Sequence, residues 1–170
     1  MFGQATLALA LLAAPSLGAT RLRTPDETAL KAFRLTTDNV RKAAAVARRL
    51  AAAVAKDPGL ARSIEKNAQH RETLDAKAKA LEIDPRVASA LRAESISARE
   101  YAMVEMAALQ AGMVAAMKSR GVQMDPADLR EAINPANVAF VETHRKEMDE
   151  LARSQDDLRK VSKAAQGEQK

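Results

Sequence analysis

Five of the six prolines stand directly after a short oxygen-bearing side chain: Thr24-Pro25, Asp57-Pro58, Asp84-Pro85, Asp125-Pro126 and Asn134-Pro135. An Asp, Asn or Thr at the N-cap accepts a backbone N–H of the first turn, and proline at the next position has no N–H to leave unsatisfied. Glu27 completes a capping box with Thr24, and Ser97-Ala98-Arg99-Glu100 has the same form without proline. Six helix starts in one chain leave little room for strands. The residue supply agrees, because the apolar 47% is mostly Ala, Leu, Val and Met, with three Phe, one Tyr and no Trp. These are helix formers, and the aromatic residues that favour strands are scarce.

The expected fold is therefore all-α, an antiparallel helical bundle of about four principal helices plus short accessory ones. The first helix runs from Pro25 to Lys56, with Thr36-Thr37-Asp38 as a place to restart after an irregular entry. Leu30, Phe33, Thr37, Val40, Ala44, Ala47, Ala51 and Val54 alternate at spacings of three and four, which makes one apolar stripe. A second region spans Pro58–Ile83 with a break near His70, and a short helix spans Pro85–Ala93. Ala98–Arg120 ends at Gly121, a good residue for a left-handed cap. Pro126–Ala132 gives two turns at most, and the last helix runs from Pro135 to about Ser162, leaving 163–170 as a frayed tail.

Residues 1–19 carry no charged side chain. Thr6–Ala14 is apolar, Pro15 breaks it, small residues follow, and Arg21 and Arg23 come next. This is the pattern of a secretory signal cut after Gly18 or Ala19, with 20–170 as a single mature domain and a periplasmic or extracellular destination. As an uncleaved anchor the segment is shorter than the ~20 residues that span a bilayer.

The absence of cysteine excludes disulfides, thiol catalysis, thiolate zinc and iron–sulfur ligation. No Gly-rich phosphate loop and no nucleophile elbow occur. The two histidines, His70 and His144, lack the paired E-x-x-H motifs of a di-iron bundle. The expectation is a non-enzyme with no catalytic, cofactor or metal site. Glu105, set in an apolar helix, is the one candidate for a perturbed carboxyl.

Three features invite binding. Tyr101–Met117 is apolar nearly all round except for Glu105 and Gln110, which places it at the bundle centre. One side carries Met103, Met106, Gln110, Met113 and Met117, read as soft core packing, as an adaptable surface for a partner or apolar ligand, or as a thioether copper(I) site. Second, Ala108, Gly112 and Ala116 form a small-residue row suited to a close helix–helix contact, within the chain or between subunits. Third, Arg34, Arg41 and Arg48 repeat every seven residues beside Lys42 and Arg49. This basic ridge would meet an anionic membrane surface or acidic partner, or be solvated and neutralised by Glu142, Asp149, Asp156 and Asp157. Residues 20–56 carry nine basic and three acidic groups, and residues 122–170 carry eight and ten. Nucleic acid is disfavoured, since there are almost no aromatics for base stacking.

The leading expectation is an exported helical protein that binds another macromolecule, as a complex subunit or chaperone-like factor, with oligomerisation open. The alternative is a bundle that holds a small apolar ligand or metal between helices. A cavity beside Met106 and Met113 would favour the ligand, and an exposed apolar patch the partner.

Overall fold

The computed structural model describes residues 25–68, 73–125, 127 and 133–167. Residues 1–19, where a secretory signal is expected, Thr24, His70 and most of Pro126–Ala132 lie outside the described residues. Those described form α-helices and no strand: α1 Pro25–Ala32, α2 Thr37–Lys56, α3 Gly59–Ala68, α4 Leu74–Ile83, α5 Pro85–Ala93, α6 Ala98–Ser119, α7 Pro135–Thr143 and α8 Arg145–Gly167.

The helix starts follow from side chains that accept first-turn N–H groups. Asp57 accepts from Gly59 at 2.9 Å, Thr73 from Ala76 at 3.1 Å, Asp84 from Arg86 at 2.9 Å, Ser97 from Glu100 at 3.1 Å and Asn134 from Ala136 at 3.0 Å. Thr36 restarts the first helical stretch: its hydroxyl accepts from the Asn39 backbone N–H while the Asn39 side-chain Oδ1 accepts from the Thr36 N–H. Asn at this position does the work that Glu or Gln does in the usual capping box. Two expected helices are therefore interrupted, the first at residues 33–36 and the last at His144. The last helix also continues past Ser162 to Gly167, where frayed chain is expected. Ala165 packs on the core and the Gln166 amide donates to Glu65 at 2.7 Å.

The middle of the molecule belongs to α2 rather than α6. Val40, Ala43, Ala44, Val46, Ala47 and Val54 are wholly buried. Leu60 of α3, Leu74 of α4, Leu91 of α5, Val104 of α6 and Leu151 of α8 pack in the same core. Alanine along α2 lets its neighbours come close, and the larger Leu and Val side chains fill the remaining volume. Truncating Leu60 or Leu151 to Ala in such surroundings costs about 2–5 kcal/mol.

The most extensive helix pair is α2 with α8, and it runs parallel. Asn137 of α7, the helix that leads into α8, binds Leu35; Arg41 pairs with Glu147; Arg48 pairs with Glu150; and Glu65, beyond α2, meets Gln166. Residue numbers rise together on both sides. An antiparallel arrangement is the rule for helices joined by short loops. Here the chain between α2 and α8 is a long crossover through α3–α7, so connection length imposes no reversal.

Candidate functional site

The N-terminal half of α6 is inside and its C-terminal half emerges. Ala98, Tyr101, Ala102, Val104, Ala107, Ala108 and Ala111 are buried. Beyond them α7 covers one flank, with Ala111, Ile133 and Val138 forming a small second cluster. The opposite flank is open. Five large apolar side chains of the described residues are exposed, Ile83, Leu109, Met113, Met117 and Val122, and four of these belong to Leu109–Val122. Gly121 ends the emerging helix at φ 76°, where the Val122 N–H reaches the Met117 carbonyl at 3.1 Å and the Gly121 N–H reaches Lys118 at 3.0 Å. That pair of hydrogen bonds is the glycine-terminated cap in which the chain turns left-handed.

The methionine stripe is thus divided. Met103 and Met106 are half-buried against the core, Gln110 is half-buried, and Met113 and Met117 are 38% and 43% exposed. The small-residue row also divides: Ala108 is buried and Ala116 exposed, and a Cβ placed on Gly112 meets no atom within 4 Å. Among the described residues no neighbouring helix lies close against Gly112. Sequence reasoning missed Leu109, 61% exposed, and Val122, because an all-round apolar helix reads as enclosed.

The basic ridge is largely neutralised within the chain. Arg41 meets Glu147 at 3.1 Å, Lys42 meets Asp38 at 2.7 Å, Arg48 meets Glu150 at 2.5 Å, and Arg49 pairs with Glu94; Arg34 is exposed. The acidic partners are not the anticipated set. The parallel register brings Glu147 and Glu150 to α2, whereas Glu142 binds Lys118 at 2.6 Å and Asp156 binds Lys160 at 2.7 Å. The Glu147 carboxyl is held below the usual range, first by its own backbone N–H at the start of α8 and then by Arg41.

Glu105 sits at the bundle edge, 3.0 Å from Lys77. His144 stacks on Phe140 with ring centroids 4.1 Å apart, and its Nδ1 lies 2.9 Å from the Thr143 hydroxyl, at the break between α7 and α8. Among the described residues no three His, Cys, Asp or Glu side chains gather as a metal site would require. Asp84 is the strongly perturbed acid: Arg86 holds its carboxyl far below the usual range against the opposing effect of burial. It caps α5 and also bonds Ser63, a structural part. A surface depression of about 340 Å³ is lined by Arg48, Lys146, Glu150, Arg153, Ser154 and Asp157, and another of about 150 Å³ lies between α6 and α7 beside Val114, Ile133 and Val138. Neither includes Met106 or Met113. No helix of the described residues is long and apolar enough to cross a membrane.

Compared with known proteins, the chain matches no protein-family model, no curated protein and no solved structure, so its residues and their geometry carry the functional reading.

Proposed function

We propose that this is an exported, non-enzymatic helical protein that acts by binding another macromolecule, as a complex subunit or chaperone-like factor, through the open face of α6. The observation that supports it is the concentration of Leu109, Met113, Met117 and Val122 on one emerging helix end. Contiguous exposed apolar surface costs solubility and is kept where a partner covers it. Met113 and Met117 suit such a role, because the flexible thioether repacks against different surfaces. The mature domain begins after cleavage near Ala19 and takes a periplasmic or extracellular location. In this reading its four principal helical regions, with Gly59–Ile83 counted as one, are a scaffold for that face. A pocket for an apolar ligand or metal is the weaker reading, since both depressions lie away from Met106 and Met113.

The test is co-purification from the native envelope with mass spectrometry, comparing wild type with Leu109→Glu/Met113→Glu. Both side chains are exposed, so helicity should be unchanged while the bound partner is lost. An identical set of partners for the two proteins, together with an identical mass in solution, would overturn the assignment of this face.

A further inference from the structure

The occupant of the face is the next question, and we infer that it is a second copy of this chain, with two α6 helices packed antiparallel about Gly112–Met113. The inference rests on the reading above that the face docks a macromolecule. Its ground is complementarity of the face to itself. In this register Leu109 of one copy lies opposite Ala116 of the other, and Met113 opposite Gly112. Leu109 thus meets an exposed alanine, and Met113 meets a glycine at which a Cβ would touch nothing of the described residues beyond its own helix backbone within 4 Å, while Met117 falls opposite the buried Ala108 at the edge of the contact. Such alternation lets ridges of one helix enter grooves of the other.

The charges agree with the same register. It sets Arg120 of one copy opposite Glu105 of the other. Arg120 is exposed and enters no ion pair among the described residues. Glu105 is bound by Lys77 at 3.0 Å and its side chain remains 25% exposed. A shallow crossing of about 20° keeps these ends within reach of long side chains. A parallel pairing would instead oppose Met113 to Met113 and Arg120 to Arg120, stacking bulk on bulk and like charge on like charge. A closed two-fold contact of this kind uses one patch twice and leaves no open surface for further growth.

The chain contains no cysteine, so single cysteines report the contact without background. Full-chain Leu109→Cys and Ala116→Cys, both at exposed positions, are purified and treated with a short thiol-to-thiol cross-linker, separately and mixed. The expected result is a Leu109→Cys to Ala116→Cys cross-linked dimer in the mixture, severalfold above either variant alone, with dimer mass by light scattering and weaker dimerisation for Arg120→Glu. Cross-linking of Leu109→Cys with itself as readily as in the mixture would overturn the antiparallel register. A monomer at every concentration would overturn self-association; if Leu109→Glu/Met113→Glu still loses a co-purifying protein, the docking reading stands without it. If that variant loses nothing either, both fall.

Discussion

Asn137 shows what one side chain does when backbone has left its helix. Residues 33–36 lie between α1 and α2, and their peptide groups need partners away from water. The Asn137 oxygen accepts from the Leu35 N–H at 2.8 Å and its amide donates to the Phe33 carbonyl at 3.0 Å. Asn134 donates to the same carbonyl at 2.9 Å, and Asn39 donates to that of Arg34 at 3.0 Å. Asn137 and Asn39 are buried. A carboxylate could accept but not donate, and a leucine could do neither. Asn137→Ala should therefore cost about 2–4 kcal/mol, because it strands the Leu35 N–H and removes one of two donors to Phe33. Chemical denaturation checks this; a loss under about 0.5 kcal/mol would mean that water substitutes freely.

At the scale of elements, the two ends of α5 and α6 make the same turn with different residues. After α5 the Ile96 N–H bonds the Leu91 carbonyl at 3.2 Å and the Ser95 N–H bonds Arg92 at 3.0 Å, the pattern repeated by Val122 and Gly121 after α6. Gly121 adopts its positive φ without strain, whereas Ser95 holds φ 51° with a Cβ present. Ser95→Gly should therefore stabilise the fold by about 0.5–1 kcal/mol, the relief of left-handed strain being partly offset by the freer unfolded chain. Thermal unfolding of the two proteins decides it, and an unchanged or lowered midpoint would count against the strain. In the proposed docking role the α6 cap matters too, since it ends the helix where the apolar side chains are exposed.

For the whole molecule, the parallel α2–α8 pair is the organising contact. Its ion pairs are exposed and individually contribute little, about 0–1 kcal/mol each. They mark the register, while Leu151 and the alanines of α2 supply the cohesion. Nitroxide labels at Arg41→Cys and Glu147→Cys should lie close together, and a label at Lys163→Cys should lie about 24 Å farther along α8, the rise of sixteen helical residues. The reverse order of distances would restore an antiparallel pair.

Helix starts were legible in the sequence because capping is local: an acceptor side chain, proline and first-turn donors lie within four residues of each other. Asp84-Pro85, Asn134-Pro135 and the glycine stop at 121 were readable from local residue order, and the helical class from composition. The tertiary structure decided the rest. Nothing local says that Asn137 serves Phe33 and Leu35 a hundred residues away, that Glu147 rather than Asp149 meets Arg41, or that α2 occupies the middle. The open face follows the same rule. Periodicity tells which residues share a side of α6, but Leu109 and Met113 are exposed because no other element of the described chain is packed over them, and that depends on where every other helix was placed.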